Sequence, residues 1–137
     1  MKAKELQIGD YVNYRGQIIK VTSLYDKGGS NEVGWSDKES VWVNADNVEP
    51  IPLTPEILEK NGFEKQSNYQ WKYRNNSCKI VISIPPQIEI DGEIIGTPPI
   101  NIMLEGALFD INITSDCHVH TLQHCFRLVG IEKEVTL

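Results

Sequence analysis

The sequence has few cysteines, few basic residues and no long apolar run, and each shortage excludes a class of protein. Its three cysteines among 137 residues show no Cys-x-x-Cys spacing, which is typical of reduced thiols rather than of a disulfide framework. No apolar stretch reaches the length that spans a bilayer. The charged start, Met1–Glu5, precedes no apolar run of signal-peptide length, so we expect a cytoplasmic protein with no membrane partner.

The shortage of basic residues lowers the expectation of nucleic-acid binding. Thirteen Lys and Arg residues against nineteen Asp and Glu residues leave a net charge of −6. A protein that grips the phosphate backbone needs a positive surface, so this balance argues against general nucleic-acid binding. The 40% hydrophobic and 23% charged content is that of ordinary globular proteins, and the length fits one domain or two very small ones.

Short strand patterns fill residues 1–50. The run from Ile8 to Tyr14, the turn residues Arg15 and Gly16, and the run from Gln17 to Leu24 predict a hairpin. More strand-forming residues follow a glycine-rich loop. So many short strands can bury an apolar face only by curling, so we predict a first domain, residues 1–50, that is a small β-barrel. The run Ile8–Val12, followed by a turn and a strand that ends at Val21, resembles the opening of SH3-like barrels, which implies an SH3-like fold for this domain.

Residues 51–137 predict a second domain that combines helices with an antiparallel sheet. A short helix is indicated by Thr54 as its cap, Pro55 in its first turn and Gly62 after its end. Alternation over 69–73 and 80–84 predicts paired strands with one buried face. The fold class is therefore α+β, mostly β, with a short central helix and a C-terminal helix.

Two further elements complete this second domain. The Asp91-Gly92 pair lies between alternating isoleucines and acidic residues, a pattern that predicts a second, projecting hairpin. The last helix is expected from Asp116 to Val129. Its apolar residues at helical spacing form a stripe that must dock on other elements, and they are Val119, Leu122, Phe126 and Val129.

The C-terminal helix carries the one grouping of residues with metal-binding chemistry. Helical spacing places Cys117, His120 and His124 together on the face opposite the apolar stripe. All three are competent zinc ligands, so a zinc site is one alternative, and no other cofactor is expected. The preferred interpretation is that His120 and His124 are surface or interface side chains and that Cys117 lies near the helix cap.

Aromatic and basic side chains alternate in the first domain. Tyr14, Arg15, Lys20 and Trp35 belong to this set, which offers a nucleic-acid-binding barrel as a further alternative. Ordinary packing inside a small barrel explains the same residues. The candidates for a protein interface are Tyr14, Trp35, His120 and Gln123.

Three segments of the chain carry a resemblance to known proteins: Met1–Val12, Ile51–Leu58 with Gly62 and Phe63, and Val119–Gln123. They resemble a family of short uncharacterised proteins of Bacteroides-type bacteria and their phages and mobile elements. The chain departs from the family pattern at Thr121, His124 and Cys125 and in the tail after Gly130. The resemblance singles out His120, Leu122 and Gln123 and implies no assigned activity.

The sequence as a whole predicts a non-enzymatic module that binds another protein or a second copy of itself. The agreement of the fold signals and the lack of converging polar chemistry favour this function. The edge strands that a small sheet exposes are natural sites for such binding. A metal-binding protein that uses Cys117, His120 and His124 and a nucleic-acid-binding barrel are the two alternatives.

Overall fold

The computed structural model describes residues 1–35, 41–96, 98–106, 109–115 and 117–137. The strands are β1 (Tyr11–Tyr14), β2 (Gln17–Lys20), β3 (Ser23–Lys27), β4 (Ser30–Gly34), β5 (Trp42–Asn44), β6 (Glu64–Ser67), β7 (Gln70–Arg74), β8 (Cys78–Ser83), β9 (Ile88–Ile90), β10 (Glu93–Gly96), β11 (Ile100–Gly106) and β12 (Asp110–Ser115). The α-helices are α1 (Pro55–Lys60) and α2 (Val119–Leu128), and short 3₁₀ helices cover Ala3–Glu5 and Ala45–Asn47. The fold is α+β and mostly β, which confirms the predicted class.

The chain divides into two compact units. The first consists of Met1–Pro52 and His118–His124, and the second of Leu53–Cys117 and Cys125–Leu137. The sequence placed the boundary after residue 50 and assigned the whole C-terminal helix to the second domain. The structure instead assigns His118–His124 to the first unit, so α2 contributes residues to both.

Two small antiparallel sheets build the first unit. Strands β1 and β2 pair through a turn in which Arg15 and Gly16 both have positive φ, 50° and 82°. This geometry gives the turn the twist that a two-residue hairpin needs. The second sheet has the order β3-β4-β5. The apolar core of the first unit consists of Ala3, Leu6, Val12, Ile19, Val21, Val33, Ala45 and Val48.

The SH3-like barrel is not confirmed. In the described residues of the first unit, the strands form one two-stranded and one three-stranded sheet, and these do not close into a barrel. Backbone hydrogen bonds between Asn13 and Glu49, each 2.8 Å long, connect β1 with the end of this segment. The predicted hairpin at Arg15 and Gly16 is present, and the barrel stays a prediction.

The second unit is built on a five-stranded antiparallel sheet. Its strand order is β12-β11-β8-β7-β6, and Ile80 and Ile82 of β8 are fully buried in it. The predicted pairing of the aromatic and isoleucine strands is confirmed, because Trp71 lies opposite Ile82 and Tyr73 lies opposite Ile80. Alternation predicts this arrangement because successive side chains of a strand point to opposite faces.

Helix α1 begins and ends where its capping residues predict. The Thr54 hydroxyl accepts a hydrogen bond from the backbone N–H of Ile57 at 3.4 Å, and Pro55 occupies the first turn. Gly62 has a φ of 87°, a left-handed conformation that glycine adopts without a Cβ penalty. Leu58 of this helix is fully buried, so a helix of less than two turns is held by packing.

Strands β9 and β10 form a separate two-stranded sheet, the predicted second hairpin. Asp91 and Gly92 both have positive φ, 53° and 79°, as the Asp-Gly pair predicts. A bulge interrupts the register between Ile94 and Gly96. Within the described residues, each of the two strands has the other as its one hydrogen-bonded neighbour. Both strands therefore have an edge that is not paired within this part of the chain.

Candidate functional site

Three histidines meet around the start of α2, and we call them the histidine cluster (His118, His120 and His124). The rings of His118 and His120 are stacked, with centroids 5.6 Å apart and an interplanar angle of 14°. The ring of His124 approaches His120 edge-on at the same centroid distance, 5.6 Å. His118 directly precedes α2, and its ring stacks on that of the helical residue His120.

Asp10 is the partner of the histidine cluster that sequence reasoning missed. Its carboxylate is fully buried, and Oδ2 lies 2.6 Å from Nε2 of His124. The same oxygen accepts a hydrogen bond from the backbone N–H of Gln7 at 2.8 Å. Asp10 precedes β1 and lies 114 positions from His124, so no local pattern announces this contact.

Gln123, an interface candidate in the sequence, is buried and bonded within the first unit. Its side-chain oxygen accepts from the backbone N–H of Tyr11 at 2.9 Å, and its side-chain nitrogen donates to the carbonyl of Gly9 at 2.9 Å. Gln123 and His124 thus connect α2 to the backbone that leads into β1. Polar atoms used in this way hold the fold together, and an interface role for Gln123 stays a prediction.

Burial lowers the pKa of His120 from 6.5 to about 4. The negative charge of Asp10 opposes this shift, His124 and His118 add to it, and Glu5 raises the pKa slightly. The Nδ1 atom of His120 is buried and has no hydrogen-bond partner in the described part of the chain. A neutral ring is therefore the stable form at pH 7, because its protonated form would be a poorly hydrated cation.

The lowered pKa of His120 predicts that the protein loses stability as the pH falls from about 6.5 to about 4. Within this window the unfolded chain binds a proton that the folded chain does not, so protonation favours unfolding. The full shift would be worth about 3 kcal/mol, and partial screening by water reduces the expected loss to about 1 to 2 kcal/mol. Urea unfolding at pH 7, 5.5 and 4.5 measures it.

The His120→Phe variant is the control for this pH dependence. Phenylalanine keeps a ring in the cluster, removes the titrating imidazole and leaves every carboxylate in place. The variant should therefore lose about 1 to 2 kcal/mol less than the natural protein between pH 7 and 4.5. Identical pH profiles for the two proteins would show that His120 is not protonated on unfolding in this range.

The three candidate zinc ligands do not all belong to one helix. Helix α2 begins at Val119, so Cys117 precedes it. The helical spacing that grouped Cys117 with the two histidines therefore does not apply. The predicted start of the helix, Asp116, lies outside the described residues. Cys117 is buried in the second unit, with Sγ 3.7 Å from the carbonyl oxygen of Ile100. Among the described residues, no group of three or more His, Cys, Asp and Glu is placed to hold a metal ion. Zinc binding at Cys117, His120 and His124 stays a prediction.

Cys125 shows the chemistry of a core residue. Burial raises the pKa of its thiol to about 12, with a further increase from Cys117. A thiol with so high a pKa is not ionised at neutral pH, and the thiolate is the form that attacks substrates or binds metals. Cys125 therefore contributes packing in the second unit.

The aromatic interface candidates Tyr14 and Trp35 contact each other. Their ring centroids are 5.1 Å apart, and both rings pack against the apolar core of the first unit. The guanidinium of Arg15 lies over the Tyr14 ring at 5.2 Å from its centroid. Core packing accounts for these contacts, and both the interface role and the nucleic-acid-binding role stay predictions.

The second candidate site is the hairpin of β9 and β10, which we call the isoleucine hairpin (Ile88–Gly96). Its four isoleucines are exposed, Ile88 by 48%, Ile90 by 56% and both Ile94 and Ile95 by 57%. Proline pairs flank it, Pro85-Pro86 and Pro98-Pro99. The sequence predicted a projecting hairpin. It did not show that isoleucine side chains are exposed to solvent on both faces of that hairpin.

Comparison of the chain with models of known families, with characterised proteins and with solved structures gives no match. The resemblance to the Bacteroides-type family therefore stays a prediction. None of the helices in the described residues is both long and apolar enough to cross a membrane.

Proposed function

We propose that the protein is a non-enzymatic module that binds another protein, and that the isoleucine hairpin is its contact element. The observation that carries this proposal is the exposure of four isoleucines on one short hairpin, whose two strands form a separate two-stranded sheet. Single exposed apolar residues are common on protein surfaces, whereas a concentration of them marks an interaction site.

Burial of these side chains supplies a useful part of a binding energy. Complete burial of an isoleucine is worth about 1.5 to 3 kcal/mol, so covering the exposed half contributes about 1 kcal/mol per residue and about 4 kcal/mol in all. Association itself costs at least about 4 kcal/mol in lost freedom of motion. The hairpin therefore acts as the apolar centre of a larger interface, and polar contacts around it must supply the rest.

The polar side chains of Asp10 and Gln123, beside the histidine cluster, support a binding module rather than an enzyme. The buried carboxylate of Asp10 contacts His124 and the Gln7 backbone, and Gln123 holds the backbone of Gly9 and Tyr11. These contacts use the polar atoms to join elements of the first unit. Four of the exposed large apolar side chains lie close together in sequence on the isoleucine hairpin.

Site-specific cross-linking in cells that naturally produce the protein tests this proposal. A photoreactive benzoyl-phenylalanine replaces Ile90 in one variant and Ile18 of β2 in another. Ile18 is the matched control, because both isoleucines lie in hairpin strands and both are 56% exposed. We expect a discrete cross-linked protein from position 90 that position 18 does not give.

Two further requirements make this result specific. The captured protein must bind the purified natural chain, and the Ile90→Asp variant must not bind it. Cross-links that are equally frequent at both positions, or an absence of cross-links at position 90, would contradict the proposal.

A further inference from the structure

The isoleucine hairpin is acidic as well as apolar. The sequence from Ile84 to Ile100 contains no Lys, Arg or His, and its three carboxylates, Glu89, Asp91 and Glu93, are all exposed. A binding surface with this composition repels other acidic surfaces, including nucleic acids, and attracts basic ones. The charge of the hairpin therefore restricts the partners that its isoleucines can contact.

The register of the hairpin places a carboxylate beside an isoleucine on each face. Ile90 lies opposite Glu93, and Ile94 lies opposite Glu89. Directly opposite residues of an antiparallel pair share one face of the sheet. A partner that contacts the isoleucines of either face therefore also lies next to a carboxylate. A basic group on the partner beside its apolar side chain would pair with that carboxylate.

The outer edge of β9 is the edge that faces away from β10, and β9 is the strand of this hairpin without a bulge. Strand β10 contains the bulge between Ile94 and Gly96, and a bulge disrupts pairing with an added strand. Strand β9 reads Ile88-Glu89-Ile90, so its side chains alternate between apolar and acidic. In the residues that the structure describes, β10 is its one hydrogen-bonded neighbour strand, so no described strand pairs with its other edge, and an unpaired edge is where an extended segment can add a strand.

A second copy of the chain is a poor occupant of this edge. Two isoleucine hairpins would bring six carboxylates together, and each whole chain carries a net charge of −6. Like charges placed directly opposite one another on paired strands destabilise the pairing. A basic partner has the opposite effect, since each cation beside Glu89 adds a cross-strand attraction.

We propose that the outer edge of β9 binds an extended segment of another protein in which apolar and basic residues alternate. The segment adds a strand, its apolar side chains contact Ile88 and Ile90, and a lysine or arginine lies beside Glu89. This inference rests on the proposed function, and it names the chemistry of the partner.

Binding of synthetic peptides to the whole protein tests the inference. Three labelled nine-residue peptides serve as probes: one alternates valine and lysine, one has the same composition with its valines and lysines in separate blocks, and one alternates valine and glutamate. Fluorescence anisotropy at 150 mM salt should show at least tenfold tighter binding of the alternating valine–lysine peptide than of either other peptide. If the block peptide binds as tightly as the alternating valine–lysine peptide, the positive charge of the peptides alone explains the binding, and the inference is overturned.

Variants of the chain locate the peptide. Glu89→Lys and Ile90→Asp should each weaken binding of the valine–lysine peptide at least tenfold. Glu132→Lys changes an exposed carboxylate outside the hairpin by the same charge, and Ile18→Asp changes an isoleucine of equal exposure; both should leave the affinity within twofold. Equal loss in Glu89→Lys and Glu132→Lys would overturn the assignment to β9.

The outcome separates this inference from the proposed function. If the peptides do not discriminate while Ile90 still cross-links to a protein in cells, the chemistry of the partner is wrong and the contact element stands. If Ile90 gives no cross-link, the proposed function itself fails. A stable dimer of the purified chain that Ile90→Asp dissociates would show a second copy on this edge and would also overturn the inference.

Discussion

Replacing Phe126 by alanine is expected to lower the free energy of unfolding by about 4 kcal/mol, since large-to-small changes of buried aromatic residues remove apolar contact and leave a cavity. Phe126 is 1% exposed in the second unit. Its ring centroid lies 6.2 Å from that of Phe63 and 5.6 Å from that of Tyr73, the latter in an edge-on contact. Such aromatic pairs add to the energy of burial. Urea unfolding followed by far-UV circular dichroism measures the loss.

Leu128→Ala is the matched control for this variant. It also truncates a large apolar side chain of α2, but Leu128 is 62% exposed. Its expected effect is within about 0.5 kcal/mol, as for most surface substitutions. Similar losses for Phe126→Ala and Leu128→Ala would mean that α2 does not pack in the second unit as the structure shows.

The second large effect is expected from Asp10→Ala, which should cost about 3 kcal/mol of stability because it removes a buried charged acceptor. The change deprives the Gln7 backbone N–H and the His124 ring of the same carboxylate oxygen. Asp10→Asn keeps an acceptor oxygen and should cost less, about 1 to 2 kcal/mol. Equilibrium unfolding at pH 7 compares the variants.

A double-mutant cycle with His124→Ala isolates the contact between the two side chains. Without His124, the loss from Asp10→Ala should shrink by at least about 1 kcal/mol, because contacting residues are not additive. Strictly additive losses would contradict the 2.6 Å contact between Asp10 and His124.

Local chemistry explains why much of the fold could be predicted from the sequence. The Asp91-Gly92 turn, the Thr54 cap and the alternation in β7 and β8 are each decided by residues within a few positions of one another. These elements appear in the structure where the sequence places them. The closing of the first strands into a barrel depends on how separate sheets meet, and the described residues do not show it.

The candidate site depended on long-range contacts that no local pattern contains. The sequence around Asp10 indicates only that this residue precedes a strand. Its contact with His124 joins residues 114 positions apart. The start of α2 at Val119 also decides which residues follow helical spacing, so Cys117 was grouped with His120 and His124 by a helix that does not include it. The sequence predicted the hairpin itself, whereas the exposure of its isoleucines follows from the lack of a covering element among the residues that the structure describes.

The most direct test of the central claim is the affinity of the purified partner, identified through cross-linking at position 90, for three forms of the chain. Isothermal titration calorimetry would compare the natural protein, Ile90→Asp and Ile18→Asp. An aspartate in the apolar centre of an interface is expected to cost about 3 kcal/mol, or roughly a hundredfold in affinity. We expect that loss for Ile90→Asp and an unchanged affinity for Ile18→Asp. Equal affinities for all three proteins would contradict it.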